Sequence, residues 1–299
     1  MTDAFAHFSR LDILHGLNGP DKYGRTQKTT GLINDWVRWQ EAADQRHFKA
    51  LKAAFYKLSP HPDQEALIPG PPMRMPELGD SRDIPTLKFS YGDVPIVHCS
   101  AGIQRIVSLA YLVIWAWQEH RKLAESIRRK PAQSIILLID EVEAHLHPFW
   151  QRTIIPALLS AVQEIVSEIQ VQVIVATHSP LVLASAEPLF DHDQDKLFHL
   201  HLEDGSVQLD EVPFVKRGRA DLWLMSEVFG LAQPRSLEAE KAIETANKLQ
   251  LEKDPSKDDV QKISDRLVKV LAPDDEFWPV WTYFAKQRGI SLDAHTKAT

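Results

Sequence analysis

The sequence predicts an α/β protein with a parallel central sheet and a helical C-terminal appendage. Three observations carry that expectation. The stretch Ser134–Ile139 runs Ser-Ile-Ile-Leu-Leu-Ile and is closed by two carboxylates, Asp140-Glu141. An aliphatic run that short reads as a strand buried on both faces of a parallel sheet. A second such run, 171–176, ends in Thr177-His178-Ser179-Pro180. After residue 219 the pattern becomes a series of charged, amphipathic helices.

The elements follow in order along the 299 residues. Residues 1–30 are rich in glycine and polar residues and read as a loop-rich entry. Within them, Gly19-Pro20-Asp21-Lys22-Tyr23-Gly24-Arg25-Thr26 follows the spacing G-x-x-x-x-G-K-[ST], with Arg25 in the lysine position. A phosphate-cradling loop of that kind needs a buried strand before it and a helix directly after. The preceding Leu11-Asp12-Ile13-Leu14-His15 makes a poor buried strand, and arginine is a planar fork rather than a compact ammonium. The segment is therefore read as an ordinary loop.

Residues 31–58 predict one amphipathic helix, with Leu32, Trp36, Trp39, Phe48, Leu51, Phe55 and Leu58 as a core stripe. Prolines at 60, 62, 69, 71, 72, 76 and 85 make 59–85 an irregular connector. Residues 86–91 and 95–98 predict a hairpin leading into Cys99-Ser100-Ala101-Gly102-Ile103-Gln104-Arg105, which opens a long apolar helix. Such a Ser/Gly helix start presents free N–H groups and a positive dipole suited to a phosphate. A further helix is expected over 149–169, broken at Pro156. Residues 197–202 and 207–212 alternate around Asp204-Gly205 and predict a hairpin. The domain division is 1–85 as lead-in, 86–215 as α/β core and 216–299 as helical appendage. In that appendage Trp223, Phe277, Trp278, Trp281 and Phe284 serve as anchors.

Composition excludes several classes. Hydrophobic residues at 44% and charged residues at 25% are ordinary for a globular protein. The apolar stretch 106–117 is too short to span a bilayer, so no membrane role is expected. The acidic N-terminus does not read as a signal peptide. One cysteine excludes an internal disulfide and fits a reducing cytoplasm. A net charge of −7 lacks the basic footprint of a strong nucleic-acid binder. His199 and His201 on one hairpin face, and His145 and His147, lack a completing ligand set and are read as ordinary histidines.

The order of helix start, Asp-Glu strand and His strand resembles the C-terminal half of an ABC-type P-loop ATPase core. More narrowly it resembles the AAA-type branch with the OLD-family and SMC/RecF-like proteins. The string Asp140-Glu141-Val142-Glu143-Ala144-His145-Leu146-His147-Pro148 is similar to that family's Walker B and D-loop, with Val142 where proline is usual. The helical tail bears a looser resemblance to ATPase subunits of Septu-type phage-defence systems.

The resemblance implies a partial P-loop NTPase fold, with ATP as substrate and Mg²⁺ as cofactor. Asp140 would hold the water shell of Mg²⁺. Glu141 would be the general base, and His178 the switch histidine at the γ-phosphate. Ser100 and the Gly102 N–H would bind the γ-phosphate of a nucleotide on another subunit. Gln104 and Arg105 would fix that helix start.

The implied partner is a second copy or a P-loop-bearing subunit, with a nuclease effector and nucleic acid reached through the complex. No convincing Walker A is found. Three explanations stay open: the C-terminal portion of a longer ATPase, one half of a split ATPase, or a degenerate, non-catalytic scaffold.

Overall fold

The computed structural model describes residues 9–20, 26–60, 63, 66–76, 79–166 and 169–292. The chain divides into two units, 1–218 and 219–299, each with its own core.

The first unit begins with α1 (Arg10–His15), closed at its start by a capping box between Ser9 and Asp12. Strands β1 (Leu17–Pro20) and β2 (Thr26–Thr29) then pair antiparallel, Gly19 opposite Gln27 and Pro20 opposite Thr26. The flanks of the 19–26 segment are thus the arms of a hairpin. This agrees with reading it as something other than a phosphate cradle, which needs strand then helix. Residues 21–25, Arg25 among them, lie outside the described residues.

Where one helix was expected, two form: α2 (Gly31–Glu41) and α3 (Arg46–Leu58). The break falls where Ala42 turns extended and Gln45 takes a left-handed φ of 48°. The stripe is core as read. Trp36 meets Phe55 edge to face at 5.1 Å, and both are fully buried. The helices share that core with the next long helix, α4 (Ala101–Ser126). The Tyr111 hydroxyl of α4 donates to the buried Asp35 of α2 at 2.8 Å. Burial, then the Asp35 charge, pushes the Tyr111 phenol above its ordinary value.

The expected irregular connector holds short antiparallel strands instead. They are β3 (Ile68–Pro69), β4 (Met73–Met75) and β5 (Asp80–Ile84), followed by β6 (Thr86–Phe89) and β7 (Gly92–Pro95). The order β3-β6-β7 makes one sheet and β4-β5 another. Proline-rich sequence is tolerated there because the strands are very short or lie at sheet edges. A 3-10 turn at Ile96–His98, not a strand, leads into α4.

Next come β8 (Ser134–Ile139), α5 (Pro148–Gln151), α6 (Ile154–Ile165), β9 (Gln170–Val175) and α7 (Pro180–Ala186). The break falls at 152–153, between α5 and α6, rather than at Pro156. The proline lies in the first turn of α6, where helical N–H groups have no intrahelical partner to lose.

Strands β8 and β9 are parallel, Ile139 opposite Val175. One expectation fails here. β8 alternates rather than being buried on both faces, with Ile136 and Leu138 67% and 72% exposed. Ile135, Leu137, Val171 and Val173 pack on the core, while the opposite face of this two-stranded sheet stands open, Ile174 included. An apolar run reports that a strand is meant to be covered, not what covers it. The unit ends with the expected hairpin, β10 (Leu197–Glu203) and β11 (Ser206–Val212). Its two-residue turn places Asp204 and Gly205 at φ 48° and 77°, as a type I′ hairpin requires.

The second unit contains α8 (Ala220–Leu224), α9 (Leu237–Gln250), α10 (Lys257–Val270) and α11 (Trp278–Gln287). Ser236 and Ser256 cap α9 and α10. Trp281 is fully buried, its indole N–H donating to the buried Ser264 at 3.0 Å. No helix among the described residues is long and apolar enough to cross a membrane.

Candidate functional site

The parallel pairing of β8 and β9 brings their carboxyl ends together. Asp140-Glu141 leaves one strand and Ala176-Thr177-His178 the other, at the edge where open parallel sheets bind ligands. The ladder persists past the strands. The Ala176 N–H donates to the Ile139 carbonyl at 2.9 Å and the Val142 N–H to the Ala176 carbonyl at 3.4 Å. Val142 is buried.

The loop 140–147 is the hub of the site. Two non-glycine residues in it, Glu141 and His145, have left-handed φ of 46° and 64°. Such backbone is uncommon and clusters at functional sites. The start of α4 lies against this loop. A Cβ on Gly102 would sit 2.6 Å from the His145 carbonyl oxygen, so only glycine lets helix and loop approach this closely. Arg105 strengthens the junction, its guanidinium donating to the carbonyls of Asp140 at 2.9 Å and Glu141 at 2.7 Å.

Each site residue expected from the sequence finds a definite place. Ser100 is the exposed N-cap of α4, its hydroxyl accepting from the Ile103 N–H at 3.3 Å. The Ala101 and Gly102 N–H groups, first in the helix, make no hydrogen bond among the described residues. Gln104 is buried, and its amide donates to the carbonyls of Ile96, Val97 and Cys99 at 3.0, 3.2 and 3.0 Å. Through these bonds it holds the turn before the helix. Asp140, Glu141 and His178 are exposed. Burial pushes the thiol of neighbouring Cys99 up to about 11. His147 caps α5 through its ring nitrogen, and His145 is exposed.

Among the described residues, no hydrogen bond or ion pair engages the Asp140 or Glu141 carboxylates. No group of three or more metal-ligating side chains is present among them either. One or two carboxylates with room for water and phosphate is the donor set that Mg²⁺ takes in phosphoryl-transfer sites, so these residues fit that ion.

Sequence reasoning missed the side chains that hold the His178 loop. Glu143 accepts from the Thr177 hydroxyl and from the His178 N–H, both at 2.6 Å. The Ser179 hydroxyl caps α7 and donates to Gln151 at 2.7 Å, and the Gln151 amide donates to the Leu146 carbonyl at 2.9 Å. Ser179-Pro180 was a readable cap signal. Nothing local marks Glu143, or Gln151 as a partner of Ser179, because these contacts join residues far apart in the chain.

Residues 88–184 match a model of an AAA-type ATPase domain family, a similarity that supports a segment of a P-loop AAA/ABC-type ATPase. The family in question is described as "AAA domain, putative AbiEii toxin, Type IV TA system". The chain is 32% identical over 142 residues to the "Retron Ec83 probable ATPase" of Escherichia coli, covering 47% of this chain and 23% of the relative. It is 48% identical over 50 residues to the "Retron Vc95 probable ATPase" of Vibrio cholerae, covering 17% of this chain and 9% of that protein. The chain thus spans less than a quarter of the length of either curated relative.

Among solved structures, one reported under ATP-driven dimerization and DNA-stimulated activation of SMC ATPases is 20% identical. It covers 57% of this chain and 88% of its own at a TM-score of 0.34. An SMC head bound to the C-terminal winged-helix domain of ScpA is 21% identical, covering 56% of this chain and 42% of its own, also at 0.34.

Proposed function

We propose that the chain supplies the signature, Walker B and switch-histidine part of an ATP-hydrolysing site, and that a P-loop from elsewhere completes it. The observation that carries this reading is the loop 140–147. It holds Asp140 and Glu141 at the strand end, touches the start of α4 through Gly102, and is tied to His178 through Glu143.

Phosphoryl transfer needs little beyond positioning and charge stabilisation, and this arrangement supplies both. Asp140 would hold Mg²⁺ through its water shell, and the ion would neutralise phosphate charge when bound. Glu141 would orient the attacking water and take its proton, its exposed carboxylate standing at the strand edge. His178 contacts the γ-phosphate. Ser100 and the free Ala101 and Gly102 N–H groups meet the γ-phosphate of a nucleotide on a second copy or P-loop-bearing subunit, since helix starts favour anions. The open apolar face of β8 and β9 supports the same picture, because a sheet of this kind is normally covered on both sides. As part of the same proposal, and resting on the family resemblance read from the sequence, the complete assembly acts in bacterial defence in the cytoplasm, with an effector such as a nuclease doing any cutting.

Glu141→Gln tests the chemistry. In the protein complemented with its P-loop, ATP turnover should fall by roughly 10²-fold or more while nucleotide stays bound. Unchanged turnover would overturn the assignment. The second reading, a non-catalytic scaffold, is favoured by the hairpin that flanks the Walker-like segment. It expects Glu141→Gln to leave every biological readout intact.

A further inference from the structure

The Glu143 carboxylate lies between two parts of the site that differ in sequence by more than thirty residues. One oxygen accepts from the Thr177 hydroxyl and the other from the His178 backbone N–H, each at 2.6 Å. The Thr177 hydroxyl also accepts from the Ser179 N–H at 3.0 Å. Thr177 and His178 are therefore both held by one side chain of the loop that carries Asp140 and Glu141, while Ser179 is tied separately to Gln151. Hydrogen bonds to a carboxylate are about twice as strong as neutral ones. The His178 ring itself is exposed at the sheet edge, so its position is inherited from its backbone.

From this geometry we infer that Glu143 is a positioning residue, which sets where His178 stands relative to Glu141 by holding the Thr177 hydroxyl and the His178 N–H together. The catalytic part of the inference rests on the ATPase reading; the structural part does not. The same loop touches Gly102 of α4 through His145. A displacement of His178 by a phosphate would therefore be felt at Glu143 and passed to the helix start, with no ligand contact by Glu143 itself.

The experiment has two arms, both on the full chain. Amide hydrogen exchange needs no nucleotide. Glu143→Ala should speed exchange at His178 by about tenfold or more, since its acceptor is gone. Glu143→Gln should retain protection: its carbonyl can accept from the His178 N–H and its amide can donate to Thr177. Global thermal unfolding checks that both variants remain folded.

The second arm reads ATP turnover after complementation with the P-loop. Glu143→Ala should lower kcat by about 100-fold with KM for ATP unchanged, and Glu143→Gln should restore most of it. Adding Glu143→Ala to His178→Ala should cause no further loss.

Unchanged exchange at His178 in Glu143→Ala overturns the proposal. So does a full additive loss in the double variant, which would show that Glu143 acts through something other than His178. If Glu141→Gln and His178→Ala both leave turnover untouched, the ATPase reading falls, and the exchange arm alone then decides whether Glu143 holds the turn.

Discussion

Replacing Gly102 with alanine should destabilise the first unit, even though alanine is the better helix former. The added Cβ would lie 2.6 Å from the His145 carbonyl oxygen, 3.5 Å from its carbon and 3.6 Å from Leu146 Cδ2. Carbon–oxygen contacts settle at about 3.3–3.6 Å, so helix and loop must part by roughly 0.7 Å. The loop has little room to retreat. Arg105 holds the carbonyls of Asp140 and Glu141, and Gln151 holds that of Leu146. Overpacking of this kind costs about 1–3 kcal/mol, offset by at most about 1 kcal/mol of helix propensity. A net loss of about 1–2 kcal/mol in a unit of this size lowers Tm by roughly 2–8 °C. Thermal unfolding followed by circular dichroism measures it. Arg105→Ala should soften the penalty, because it frees one end of the loop, and the two changes should then combine to less than their sum. An unchanged or raised Tm in Gly102→Ala would refute the close approach of α4 to the loop. It would also remove the structural reason for glycine at that position.

Two other outcomes are expected. Ile136→Thr with Leu138→Thr should change the stability of the chain alone by no more than about 0.5 kcal/mol per site, because both side chains are largely exposed. The same pair should weaken association with a P-loop-bearing partner, read by light scattering. A large fall in Tm would mean that the face is already covered. In the second unit, the Asp275 carboxyl is pulled in two directions. Burial raises its pKa, and hydrogen bonds from Arg235 and from the Phe277 N–H outweigh that and hold it below the ordinary carboxylate value. A depressed folded value means that the pair's contribution is fully present above the unfolded pKa of about 3.9 and is lost as pH falls through the folded value. Stability of this unit should therefore drop in acid below about pH 4, and Asp275→Asn should flatten that limb of the unfolding curve. An equally steep acid limb in the variant would exclude Asp275 as its source.

The boundary between what was legible and what was not follows the range of the interactions. The helical and hairpin elements were readable because their signals are local. Asp204-Gly205 demands a type I′ turn, and the 3.6-residue stripes of α9, α10 and α11 belong to single segments. The site's order of helix start, Asp-Glu and His was equally visible, since each part sits at the end of an apolar run. Local signals also failed locally. Nothing in 42–45 announced the break between α2 and α3, and proline density hid the short strands from Ile68 to Ile84. Only the tertiary structure could show that Gly102 is a glycine because of His145, or that Glu143 serves Thr177 and His178. Those partners lie more than thirty residues apart, and their contact exists only once β8 and β9 are side by side. The open face of β8 has the same origin. Ile136 and Leu138 state by their chemistry that something should cover them, whereas burial is a property of what is packed there, and that is decided in three dimensions.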